Sequence, residues 1–143
     1  NTGDMFEHAT YVGNYYGTPK SFVMKKLNEG KDVILEIEMQ GALQVKNMYD
    51  EAIMIFVVPP KASDLKKRLV HRNTETMEVI NNRLKRSYEE TDLMQYYDYL
   101  LINDDLDDAV TLFEGIRLAE KTKYKRYLHL NDKFKQELKE IID

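Results

Sequence analysis

The sequence is 143 residues long with 43% apolar and 32% charged residues, the ordinary range of a single globular domain. A net charge of −4 argues against a general nucleic-acid binder, and the absence of cysteine removes disulfide frameworks and thiolate metal sites. No apolar run reaches the length of a membrane span and no signal-peptide pattern opens the chain, so a cytoplasmic protein away from membranes is expected.

The first residue is Asn1, and Met5-Phe6-Glu7-His8-Ala9-Thr10 follows with no preceding strand or cap, so the sequence reads as opening in the middle of a fold. Residues 5–12 are short, mixed and aromatic, compatible with a strand. Asn14 to Gly17 has turn chemistry. Thr18 suits an N-cap with Pro19 at the first helical position, Phe22, Val23, Met24 and Leu27 give the helix an apolar side, and Gly30 is a natural stop. Val33 to Glu38 is apolar until its acidic end, as expected for a strand covered on both faces. Gly41 to Met48 reads as a short helix, and Ile53 to Val58 as a second buried strand stopped by Pro59-Pro60.

Ser63 can cap a helix running to about Arg72, and Asn73-Thr74 breaks it. Met77, Ile80, Leu84 and Tyr88 mark a new helical stripe, and Tyr99 to Asn103 a third buried strand. From Leu106, the residues Ala109, Val110, Phe113, Ile116 and Ala119 keep the 3.6 period. Tyr124, Tyr127, Leu128, Phe134, Leu138 and Ile141 continue it more loosely, with a break expected at Asn131-Asp132. Buried strands alternating with helices predict an α/β fold with a mainly parallel sheet. Three strands are few for a sheet covered on both sides, so N-terminal strands are expected to be missing.

Ligands of an open parallel sheet gather at the carboxyl ends of its strands, where Glu36, Glu38 and Asn103 fall. Glu36 and Glu38 are two apart and project to one face. They suit a Mg²⁺-nucleotide or polar-substrate site, or they are solvated strand-end acids; spacing leaves both open. Tyr15 and Tyr16 are core and rim aromatics by propensity, although a phenol and the Thr18 hydroxyl are good donors to phosphate or a base edge. Arg68 and Arg72 share one helical face, and Arg83 begins the next helix beyond a break. Guanidinium groups on both sides of a joint suit a lid that closes on polyphosphate, and equally a solvated basic face with Lys66, Lys67, Lys85 and Arg86. His8, His71 and His129 show no ligand spacing, and the methionines read as core filler.

From Phe6 to about Glu120 these runs resemble guanylate kinase. The resemblance rests on Glu7 with Gly13-Asn14-Tyr15-Tyr16-Gly17-Thr18, Leu35-Glu36-Ile37-Glu38-Met39-Gln40-Gly41, Phe56-Val57-Val58-Pro59-Pro60, Arg68-Leu69-Val70-His71-Arg72-Asn73-Thr74, Arg83-Leu84 and Ile102-Asn103-Asp104-Asp105, in order and at family spacing. It implies phosphoryl transfer from Mg-ATP to GMP, giving ADP and GDP. Glu7 and Thr18 would recognise the guanine edge, and Tyr16 and Gly17 would belong to the GMP site with Tyr16 on the phosphate. Glu36 and Glu38 would sit near GMP and the Mg²⁺ hydration shell with no direct metal ligand. Arg68, Arg72 and Arg83 would be lid arginines on the ATP phosphates and the transferring group, catalytic together with Glu38, and Asn103 would lie against adenine.

The implied fold is a P-loop-NTPase-like parallel sheet flanked by helices, with part of the GMP-binding lobe and an Arg-rich lid. Residues 1–31 would be the remainder of that lobe, 32–70 core, 71–88 lid, and 89–143 core and C-terminal helices. Asn73 stands where the family usually has Gly. No G-x-x-x-x-G-K-S/T run occurs, so the first strand and phosphate loop are expected to be absent and the stretch alone inactive. The alternative is a guanylate-kinase-like protein-interaction module without catalysis, which would bind peptides on the same fold. The sequence sets no oligomeric state.

Overall fold

The computed structural model describes residues 4–11, 14–72 and 75–142, without the side chains of 8–11 and 14–16. Its contacts divide into two compact units: one runs to Phe56 and includes Ala62–Leu100, and the other comprises Val57–Lys61 and the chain from Leu101 on.

The first unit opens with an antiparallel hairpin of β1 (Met5–Tyr11) and β2 (Asn14–Pro19). The run from Asn14 to Gly17, expected as a turn, is therefore strand, and Gly13 lies outside the described residues. Met5 pairs with Pro19 and Glu7 with Thr18, so two steps along β1 match one along β2. This bulge explains why the neighbours Phe6 and Glu7 are both buried, at 1% and 6% exposure, where a regular strand would send one outward.

Thr18 stays in β2, and Pro19 is the N-cap of α1 (Lys20–Asn28) without a side-chain cap bond. The capping acceptor comes from outside the helix: Asp4 receives the Ser21 N–H at 3.0 Å and the Ser21 hydroxyl at 2.5 Å. Gly30 has φ +77°; its N–H donates to Leu27 O and that of Lys31 to Lys26 O, the paired bonds of a glycine-terminated helix.

Phe6, Val23 and Val45 form the core, with Val33, Leu35 and Ile37 packed against it. The segment 33–38 has no strand partner among the described residues. Its exposure alternates: Val33, Leu35 and Ile37 are half-buried, while Ile34 at 70%, Glu36 and Glu38 face outward. The period of two confirms that the acidic pair shares a face and corrects the expectation of burial on both sides. α2 (Met39–Met48) follows directly and packs on β1.

β3 (Ile55–Val58) and β4 (Tyr99–Ile102) form a parallel pair, each shorter than its apolar run suggested. The N–H groups of Asp98 and Tyr99 donate to Met54 O, and that of Asn103 to Val58 O, so both strands advance in one direction. Asp98 also accepts the Met54 N–H at 2.8 Å and Lys46 Nζ at 3.3 Å, tying the strand entrances to α2. The result is an α/β chain with a parallel sheet and helices, and its hairpin is antiparallel.

α3 (Ala62–His71) begins before Ser63, which lies in its first turn and not at the cap. α4 (Met77–Glu90) is capped by Thr76, which accepts the Val79 N–H at 3.4 Å. Of its apolar stripe Ile80 is buried and Leu84 half-buried, while Met77 and Tyr88 are exposed. In the second unit Asp105 caps α5 (Leu106–Lys121), accepting from Asp107 and Asp108 N–H. The break after α5 is a 3₁₀ turn at Tyr124–Tyr127, and α6 (Leu128–Ile142) runs unbroken through Asn131-Asp132.

Candidate functional site

A carboxylate removed from water needs donors, and the bulge supplies one to Glu7. Thr18, its ladder partner, donates its hydroxyl to Glu7 Oε1 at 3.0 Å. On the other side Gly41, in the first turn of α2, presents bare backbone: a Cβ there would lie 3.1 Å from Glu7 Oε2. The partial positive charge of a helix start favours an anion at that place. Three pieces of chain thus meet on one carboxylate. Gly17 is exposed and pairs with His8 in the hairpin, while the Tyr16 side chain lies outside the described residues.

The acidic edge is open to solvent. Glu36 is exposed, and Glu38 Oε2 accepts from Arg86 Nη2 at 2.9 Å. Arg86 Nε donates in turn to Glu90 Oε1 at 2.7 Å, so one guanidinium on α4 bridges two carboxylates. Beside them Tyr97 packs edge-on against Phe56, ring centroids 5.0 Å apart. Burial first, then the charges of Glu90 and Glu38, push the Tyr97 phenol above its ordinary pKa. Neither Arg86 nor Tyr97 stood out in the sequence as a site residue. The Arg86–Glu90 spacing of four along a helix was a usable signal for Arg86; for Tyr97 there was none.

Arg68 is exposed on α3, and Arg72 is exposed in the turn just past its end, its N–H donating to Arg68 O at 3.3 Å. Arg83 lies near the middle of α4 and not at its start; its Nη2 pairs with Glu75 Oε1 at 2.6 Å. Asn73 and Thr74 lie outside the described residues. A recess of about 510 Å³ along α3 is lined by Ser63, Lys66, Lys67, Val70 and His71. One helix face makes all of it, so it is the flank of a basic helix and no cleft. Asn103, in the second unit, is half-buried and its N–H completes the β3–β4 ladder. The structure thus brings Glu7 and Thr18 into bonding contact, sets Glu36 and Glu38 on one edge, and holds Arg83 to a neighbouring carboxylate. Among the described residues no cluster of three or more His, Asp or Glu could hold a metal ion, and no helix is long and apolar enough to cross a membrane.

The sequence model of the family described as guanylate kinase matches residues 1–118. Guanylate kinase of Clostridium perfringens is 48% identical over 123 residues, 86% of this chain and 57% of that protein. The corresponding protein of Bacillus subtilis is 49% identical over 122 residues, covering 85% of this chain and 60% of its own length. The crystal structure of guanylate kinase from Anaplasma phagocytophilum superposes with a TM-score of 0.69 at 29% identity, covering 85% of this chain and 58% of that one. The chain therefore spans somewhat more than half the length of the curated relatives it matches.

Proposed function

The chain belongs to the guanylate kinase family, and on that footing we propose that the protein transfers the γ-phosphoryl group of Mg-ATP to GMP, giving GDP and ADP. The observation that carries this reading is the buried Glu7 carboxylate with the Thr18 hydroxyl on it. Guanine offers N1–H and N2–H to an acceptor of this kind, whereas the adenine edge has a different donor pattern. A site built to accept those two hydrogens rejects a base that lacks them, because its buried oxygen is left unpaired.

The remaining assignments follow the family. Tyr16 and Gly17 serve the GMP site with Tyr16 on the phosphate, and Glu36 and Glu38 face GMP and the outer shell of Mg²⁺. Two exposed carboxylates on one edge, with no third candidate ligand beside them among the described residues, fit an ion that keeps its own waters and rests on nucleotide phosphates. Bound beside Glu36 and Glu38, Mg²⁺ would supply neutralisation of phosphate charge. Arg68, Arg72 and Arg83 neutralise the transferring group, which asks for positioned cations more than for a covalent catalyst. Asn103 lies against adenine. Residues 1–31 serve as GMP lobe, 32–70 as core, 71–88 as lid and 89–143 as core with C-terminal helices. The place of action is the cytoplasm.

The test is GMP-dependent formation of ADP from Mg-ATP by the full-length protein. Turnover with GMP and little with AMP is expected; a preference for AMP would overturn the reading. The 143 residues by themselves, lacking any G-x-x-x-x-G-K-S/T run, are expected not to turn over.

A further inference from the structure

Glycine inside a helix is unfavourable, because it gives up more backbone freedom than alanine and packs nothing. α5 and α2 each carry one, and their surroundings differ. A Cβ built on Gly115 in α5 meets no heavy atom within 4 Å, so that position has room for a side chain. The three heavy atoms nearest a Cβ built on Gly41 in α2 all belong to Glu7, with Oε2 at 3.1 Å and Cβ and Cγ each at 3.5 Å. The last two distances are ordinary contact, but the first is too short to stand unrelieved. Glu7 cannot yield freely, because Thr18 holds its other oxygen at 3.0 Å and the residue is 6% exposed.

We infer that Gly41 is a positioning residue: the absent side chain is the seat of the Glu7 carboxylate, and it sets where the guanine-reading oxygens stand. The inference rests on the assignment of Glu7 to guanine. A side chain at 41 moves the carboxylate by a few tenths of an ångström, enough to misalign a paired acceptor without unfolding the hairpin. Because α2 begins directly after Glu38, the same helix start fixes the end of the acidic segment and the seat of the base reader.

The experiment compares Gly41→Ala, Glu7→Gln, Glu7→Asp and the double variant Gly41→Ala/Glu7→Asp in the full-length protein, with Gly115→Ala as the control. Gly41→Ala is expected to raise KM for GMP about tenfold, with kcat and KM for ATP within about twofold, since a sub-ångström misplacement acts on orientation. Its thermal midpoint should change little, because the contact with Glu7 offsets the gain of a better helix former. Gly115→Ala, with open space for the methyl, should raise the thermal midpoint and leave KM for GMP unchanged. Asp is one methylene shorter, so in the double variant KM for GMP should be lower than the product of the two single effects, the mark of direct coupling.

A folded Gly41→Ala protein with unchanged KM for GMP, while Glu7→Gln raises it, overturns the seat and leaves the guanine assignment standing. Glu7→Gln with unchanged KM overturns both. If Gly41→Ala does not fold, recovery of folding and GMP turnover in the double variant supports the seat, and failure to recover overturns it.

Discussion

Glu7 lies buried at a strand bulge with Thr18 bonded across the ladder and Gly41 against its far oxygen, while Arg68 on α3 and Arg72 just past its end stand exposed and Arg83 is tied to Glu75. The side proposed to read the base is fixed because a buried carboxylate persists only where its partners are already in place. The arginine side carries charges whose ion pairs are weak when solvated and exchange readily. A selective pocket needs the first arrangement, since orientation decides which base fits. A group that must meet phosphates only at the moment of transfer is better served by the second. On the proposed reading, the two regions divide selection from catalysis.

The sharpest way to break that division is through Arg83. Arg83→Met is expected to lower kcat by about a thousandfold, by analogy with arginines that stabilise a transferring phosphoryl group, and to leave KM for GMP within about threefold. Steady-state kinetics with GMP and ATP varied in turn separate the two parameters. A rise confined to KM for GMP would move Arg83 to the selecting side.

A smaller effect is expected from Thr18→Val, which removes one hydrogen bond to a buried carboxylate. KM for GMP should rise about tenfold with kcat nearly unchanged, the usual worth of a bond to a charged group. Equal losses in kcat and in kcat/KM would instead place Thr18 in the transition state.

The smallest effect concerns the tie that pins the start of the hairpin to α1. Bonds from the Ser21 hydroxyl and then its N–H hold the Asp4 carboxyl below its ordinary value of 3.8. A carboxyl depressed in the folded state contributes stability above its unfolded pKa and loses that contribution as pH falls through the folded one. The thermal midpoints of the wild type and Asp4→Asn should therefore differ at neutral pH and converge as pH drops below 3.8. A constant difference down to the lowest pH would show that the Ser21 bonds do not depend on the charge.

Local chemistry was legible in the sequence wherever one physical rule acted alone. Gly30 ended α1 through a left-handed backbone that glycine adopts freely. Glu36 and Glu38 came out on one face because a period of two needs no knowledge of the partner. Thr18 was read as a helix cap since its hydroxyl suits that role, but the ladder claimed it and Asp4 supplied the acceptor from a distance in sequence. The bulge that turns Glu7 inward depends on how β1 meets β2, and no residue pattern in β1 announces it. Asn131-Asp132 looked like a break, yet two weak helix formers do not interrupt α6 when neither is Gly or Pro. Burial on both faces of 33–38 was inferred from apolar content, which does not reveal what lies opposite Ile34. The roles of Glu7 and Thr18 came from resemblance; the bond between them came from the fold.

The proposed guanine corner is tested most directly by calorimetric titration of the full-length protein with GMP and with AMP in the absence of ATP. GMP is expected to bind at least about a hundredfold more tightly than AMP, because a buried acceptor left unpaired by the wrong base is penalised even before the arginines engage. Equal affinity for the two nucleotides would contradict a base-reading site built into this hairpin.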